Sequence, residues 1–235
     1  DECSLGYQYN PAELINPIST LSGETPARRA VNNWFFDLPS YANRIESELT
    51  VWENDPACRK SLINVVHEFL KKPSIYIKKE FIDQVKNWGG MPPYTVISED
   101  QKASSALVCE DLKAREQAIS VLDENGIRYR TGKTLVPFRL SGNVKWGIPV
   151  PEKDSISGMT FWVWPESLWA PISFTKTVLG DGTDGKKWEK WWKSDDSKVY
   201  QFIGEDNIYF YAIAEMGLFL ALDDSFKLPL IVPNH

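Results

Sequence analysis

Apolar residues along the chain keep two different rhythms. After Pro39-Ser40, Tyr41, Ile45, Leu49 and Trp52 recur at helical spacing. Leu62, Val65, Val66 and Leu70 put a second helix over residues 57–70. Short β-favouring runs lie at 31–38, 94–97, 127–129, 160–164, 199–203 and 228–232. Between them the pattern predicts helices over 111–125, ended by Gly126, over 166–178 and over 206–222, with a short Trp-rich helix at 186–192. Strands alternating with helices predict an α/β protein with a parallel sheet covered on both faces. Residues 1–25 are rich in Pro, Gly, Ser and Asn and suit a loop or knuckle. Residues 71–131 change pattern and read as an α/β insertion.

Composition adds bounds to this picture. With 235 residues, 43% hydrophobic and 25% charged, the chain can bury one large core or two modest ones. A formal charge of −6 argues against a generally basic nucleic-acid coat, though not against a local basic groove. Cys3, Cys58 and Cys109 are odd in number, far apart and without metal-ligand spacing, which predicts a reduced, cytoplasmic chain. No apolar run reaches the roughly 18 residues of a membrane helix, and the first residues lack the pattern of a signal peptide. The chain starts at Asp1 rather than Met, as expected of a processed chain or a piece of a longer parent.

Candidate chemistry concentrates where the 199–203 strand meets the next helix. In open α/β sheets, ligands sit beyond the carboxyl ends of strands. Gly204 lets a ligand approach the backbone, and Asp206 can cap a helix or accept hydrogen bonds from sugar hydroxyls. The same residues also make an ordinary strand-to-helix turn. Ten tryptophans raise another possibility. Trp188, Trp191 and Trp192 share one helix face, which either packs on a core or lines a glycan- or peptide-binding surface.

Several segments, in order, resemble the methionyl-tRNA synthetase family. Glu13-Leu14-Ile15-Asn16-Pro17, Ser22-Gly23, Thr25-Pro26 and Phe35-Phe36-Asp37-Leu38-Pro39 resemble its ELINP…SG…P…FF-DLP signature. Trp146 to Pro151 resembles WGVPVP, Phe161 to Trp164 resembles FYVW, and Phe202 to Phe210 (FIGEDNIYF) resembles FIGKDI-x-x-F. The resemblance covers about residues 6–40 and 140–235, and no motif identifies 71–131. It implies a Rossmann-type parallel sheet, the second half of a class I synthetase core, interrupted by an α/β connective insertion. Residues 1–40 would be a connective-peptide remnant, 41–139 a helical and α/β insertion, and 140–235 the Rossmann-type segment. The implied activity is activation of an amino acid with ATP and its transfer to tRNA. By the same resemblance Gly204 and Asp206 hold the adenosine ribose, and Trp164 lines the amino-acid pocket unless it is simply core.

Departures from the family pattern are equally specific. Neither the HIGH nor the KMSKS motif occurs in these residues, so no catalytic residue is expected here, and the segment alone is expected not to adenylate. The family's Cys-x-x-Cys-Gly falls on Glu2 and Leu5 before Gly6, with Cys3 one place out of register, so no zinc is expected. In the pocket, Ser167 and Leu168 with Glu166 and Pro171 replace a D-A-P-x-x-Y segment, while Tyr211 and Glu215 stand where the family has His and Trp. Glu215 either faces that pocket or lies on a solvated face. In the pocket it suits a thioether poorly, because a buried carboxylate wants a cation or strong donors. The expectation is therefore a divergent paralogue whose parent binds an amino acid or amine other than methionine. A non-catalytic amino-acid or tRNA-binding protein is the alternative. The family's anticodon-reading domain lies beyond residue 235, so stable tRNA binding is expected only with further domains.

Overall fold

The computed structural model describes residues 14–27, 30–144, 146–152, 158–179 and 187–234. Cys3, Glu13 and the positions Glu2, Leu5 and Gly6, where the family has its zinc-binding Cys-x-x-Cys-Gly, lie outside the described residues. In chain order the elements are β1 (Phe35–Phe36), α1 (Ala42–Glu53), α2 (Lys60–Phe69), β2 (Ser74–Lys78), α3 (Ile82–Lys86), β3 (Tyr94–Ser98), β4 (Ser104–Cys109), α4 (Leu112–Glu124) and β5 (Tyr129–Thr131). There follow β6 (Phe138–Arg139), β7 (Ser141–Gly142), β8 (Thr160–Phe161), α5 (Val163–Leu179), α6 (Glu189–Trp192), β9 (Tyr200–Gly204), a π-helical segment (Tyr209–Glu215), α7 (Met216–Leu222) and β10 (Leu230–Asn234). The chain divides into two compact units. Unit 1 is Asp1–Val66 with Pro137–His235, and unit 2 is His67–Val136.

Unit 2 is a four-stranded sheet in the order β3-β4-β2-β5, with every neighbouring pair antiparallel. Its chain order, β-α-β-β-α-β, makes this a ferredoxin-like arrangement of two split βαβ units. Each helix joins strands that run in the same direction, but another strand lies between them. The strands joined through a helix are thus parallel without being neighbours, and the neighbours are antiparallel. The helices of this unit pack on one face of the sheet: Ile75, Ile77, Leu107 and Cys109 alternate inward against Ile82, Val85, Ala118 and Leu122. Helix α4 has both its ends encoded locally. Asp111 accepts a hydrogen bond from the Ala114 N–H at 2.7 Å. Gly126, at φ 68°, donates to Asp123 and Ile127 donates to Leu122, the paired bonds of a Schellman cap.

In unit 1, Ile45, Leu49 and Trp52 are the buried stripe of α1, as their spacing predicted. Arg44 ties this helix to the end of α7 through a 2.7 Å hydrogen bond to the Leu220 carbonyl. The strands are short. β1 pairs with β6, and β7 with β8, antiparallel, while β9 and β10 run parallel from Tyr200↔Leu230 to Gly204↔Asn234. Parallel pairing among the described strands is thus confined to β9 and β10, and a full Rossmann-type sheet is not seen. The fold is mixed α/β with mainly antiparallel sheets.

Candidate functional site

The turn after β9 is built for close backbone approach. Gly204 is extended (φ −67°, ψ 149°), so its conformation would suit any residue. A Cβ there would lie 2.4 Å from Oδ1 of Asp206, so any side chain would push that carboxylate aside. Asp206 sits within a single 3-10 turn, Glu205–Asn207, and caps no helix. Its exposed carboxylate takes one bond from the Asn207 side-chain amide at 3.1 Å, which leaves acceptor capacity toward solvent. Because β9 and β10 are parallel, the carboxyl ends of both strands meet at this turn, where α/β proteins collect ligands.

Trp164 is helical rather than extended. The aromatic run 160–164 reads as a strand, yet β8 stops at Phe161 and α5 starts at Val163. Pro165 falls in the first turn of this helix, where a missing N–H costs nothing. From there the Trp164 ring stacks on Phe210 at 3.6 Å with the planes 4° apart. Phe138 and Trp162 approach the same Phe210 edge-on, at 6.4 and 6.5 Å. Of the other expected wall residues, Leu168 is buried core and Ser167 is half-buried on α5.

Glu215 resolves to the interior, not to a solvated face. It is fully shielded from solvent at the end of the π-helical segment. Gln201, pointing inward from β9, donates its side-chain amide to Glu215 Oε1 at 2.9 Å. Glu215 Oε2 and Gln201 Oε1 are buried without a hydrogen-bond partner among the described residues. Burial pushes the Glu215 carboxyl up to about 8, opposed by the Gln201 bond. The half-buried Tyr211 phenol is raised as well, first by burial and then by Glu215. Tyr209, beside Phe210, is pushed up to about 12 by burial. The π-helical segment and Gln201 are parts of this site that sequence reasoning missed. A glutamine on the inward phase of a strand was the available signal for the second.

The structure thus gathers Trp164, Phe210 and Phe138 into one aromatic cluster and joins Tyr211 and Glu215 on one segment. It leaves Gly204 and Asp206 at the surface. A cleft of about 410 Å³ in this unit is lined by Arg44, Trp52, Phe219 and Asp224 among others, and by none of the expected site residues. Trp192 is buried, donating to Thr175 at 3.0 Å, and Trp188 lies beside Phe226, whereas Trp191 is exposed. No cluster of metal-ligating side chains occurs among the described residues, and no helix there is long and apolar enough to cross a membrane.

The family model described as tRNA synthetases class I (M) matches residues 1–103 and 112–234. The chain belongs to the methionyl-tRNA synthetase family. The match runs through most of the region that carried no recognisable motif, omitting 104–111, which contains β4. Among synthetase relatives, the methionine–tRNA ligase of Korarchaeum cryptofilum is 26% identical over the whole chain, which covers 30% of that protein. The methionine–tRNA ligases of Flavobacterium psychrophilum and Parabacteroides distasonis are 29% and 28% identical over the whole chain, covering 25% and 24% of their lengths. The chain therefore spans between about a quarter and a third of the length of these synthetases.

Proposed function

We propose that this chain is the second half of the core of a synthetase-like protein that activates an amino acid with ATP for transfer to tRNA. In this reading residues 140–235 belong to a Rossmann-type catalytic segment, 41–139 to an insertion and 1–40 to a connective remnant without zinc. The Gly204–Asp206 turn holds the adenosine ribose, its exposed carboxylate accepting from the sugar hydroxyls. Trp164, Ser167, Leu168, Tyr211 and Glu215 belong to the amino-acid side of the site, and a cytoplasmic setting goes with this role.

The single observation that carries the reading of specificity is the buried Glu215, with an unsatisfied oxygen beside an unsatisfied oxygen of Gln201. Gln201 Oε1, and Glu215 once its proton is displaced, favour a ligand group that brings N–H or O–H donors over a thioether. The parent is therefore a paralogue that takes an amino acid or amine other than methionine. Calorimetry and amino-acid-dependent ATP–pyrophosphate exchange on the full-length protein, across a panel of amino acids and amines, test this. Selective binding of a donor-bearing side chain is expected. Tight, selective methionine binding would overturn it. Ligand binding without exchange would make the protein a sensor on a synthetase fold.

A further inference from the structure

The four-stranded sheet of unit 2 carries helices on only one face. Tyr76 pairs with Ala106 on one side and with Arg130 on the other, so these three point to the open face, away from Ile75 and Ile77. On unit 2 lies a hollow of about 340 Å³, with Tyr76 and Arg130 in its lining. Its charge is the reverse of the molecule's. Lys71, Lys102, Arg130 and Lys133 line it against the single carboxylate of Glu68, in a chain of net charge −6. Lys133 pairs with Glu68 at 3.5 Å and Lys102 with Glu99 at 2.8 Å. The Lys71 ammonium and the Arg130 guanidinium form no ion pair among the described residues. Both are exposed.

Ser74 and Ser104, which share the open face with the Tyr76 phenol, add hydroxyls to the lining, while the Thr131 side chain, paired with Ile75, faces the helices. Gly132 keeps the floor open, since a Cβ there would lie 2.1 Å from the Ser74 hydroxyl and 3.2 Å from the Tyr76 ring. Some four-stranded sheets with one open face bind unstacked bases through aromatics on their central strands. Here the central strands are β2 and β4. β2 offers Tyr76, while Ser104, Ala106 and Val108 of β4 are non-aromatic, so the face has one stacking ring next to a basic hollow. Ile97, 53% exposed, continues the same face on the edge strand, because it pairs with Ala106.

We propose that this face of unit 2 binds single-stranded nucleic acid, with one base stacked on Tyr76 and the adjoining phosphates held by Lys71, Lys102, Arg130 and Lys133. Cations alone would suit any anion; the ring among them and the ribose-competent hydroxyls select a nucleotide strand over an acidic peptide. The inference is independent of the roles given to Gly204, Asp206 and Glu215, and concerns an element distant from them in the chain. It also departs from the expectation that RNA is bound only with further domains.

Fluorescence anisotropy of the 235-residue chain with a labelled hexanucleotide RNA, titrated at several KCl concentrations, is the test. Binding is expected to weaken with salt with a log–log slope of about −2 to −3, at roughly 0.7 per phosphate for three or four phosphates. Lys71→Glu combined with Arg130→Glu, both on the surface and checked for folding by circular dichroism, is expected to weaken binding at least tenfold. Tyr76→Phe keeps it and Tyr76→Ala lowers it severalfold. RNA binding that survives the double charge reversal would overturn the proposal. So would polyglutamate or millimolar inorganic phosphate displacing the RNA as readily as unlabelled RNA does.

Discussion

Gln201 on β9 donates to Glu215 at 2.9 Å, and each of these two buried side chains is left with an oxygen that nothing among the described residues satisfies. Two acceptors cannot satisfy one another. A protonated Glu215 brings the one donor that the pair lacks, and burial holds the carboxyl neutral up to a pH of about 8.

Stability should therefore fall as pH rises. The folded protein keeps the Glu215 proton from the ordinary value of 4.5 up to about 8, while the unfolded chain has lost it. Through this window the native state binds more protons, so raising pH works against folding, at up to about 1.4 kcal/mol per pH unit. The contribution is complete below pH 4.5 and gone above 8. Glu215→Gln supplies a permanent N–H donor instead. Urea midpoints measured from pH 5 to 9 are expected to decline for the natural chain and to flatten for the variant, which should be the more stable of the two at pH 9.

A ligand with a donor group can take the place of that proton. If Glu215 meets the substrate, binding a cationic or amide-bearing ligand to the full-length protein at pH 7 should release up to one proton. Calorimetry in two buffers of different ionisation enthalpy reads this release directly. Glu215→Gln abolishes it. A buffer-independent heat in the natural protein would place Glu215 outside the ligand's reach.

Gly204→Ala isolates the turn. The backbone there suits alanine, and the atom that its Cβ would meet is the end of the exposed Asp206 side chain, which can swing away. Stability should change by no more than about 0.5 kcal/mol. The carboxylate, however, is displaced from its place beside the strand end. Nucleotide affinity of the full-length protein is expected to drop about tenfold, a cost near 1.4 kcal/mol, and Asp206→Asn should weaken it in the same direction. A nucleotide affinity unchanged in both variants would remove the ribose role from this turn.

How much of this was legible in the sequence depended on how local the signal was. The cap at Asp111 and the stop at Gly126 are written within a few residues, and the helix between them was predicted to within a residue or two. The stripe Ile45, Leu49, Trp52 was equally plain. Residues 209–222 are different: from Phe210 to Leu220 nearly every position is buried, so no polar face marks the period and the π-helical stretch was hidden. Trp164 was misplaced because an aromatic run before a proline suits a strand by composition, while Pro165 is equally at home in a first helical turn. Strand neighbours in unit 2 are set by long-range pairing, which alternation does not encode. In the candidate site, the family motifs located the turn, but the interior position of Glu215 depends on its packing against β9.

The cap at Gly126 lends itself to a last, purely conformational test. Nothing among the described residues lies within 4 Å of a Cβ built there, so Gly126→Ala introduces no clash with them. Its φ of 68° belongs to the left-handed region, which costs a residue with a Cβ about 1–2 kcal/mol. The alternative is to abandon the turn, which would break the Ile127-to-Leu122 hydrogen bond and pull Ile127 from the core beside Leu122. Alanine should therefore destabilise unit 2 by about 1 kcal/mol or slightly more, and Gly126→Asn by less, since asparagine tolerates this region better. Hydrogen exchange by mass spectrometry on α4 and β5 reads the loss locally. Protection in those peptides should fall roughly five- to tenfold, with β9 and β10 unchanged. An alanine variant with undiminished protection would mean that the left-handed cap contributes nothing to holding α4 against its sheet.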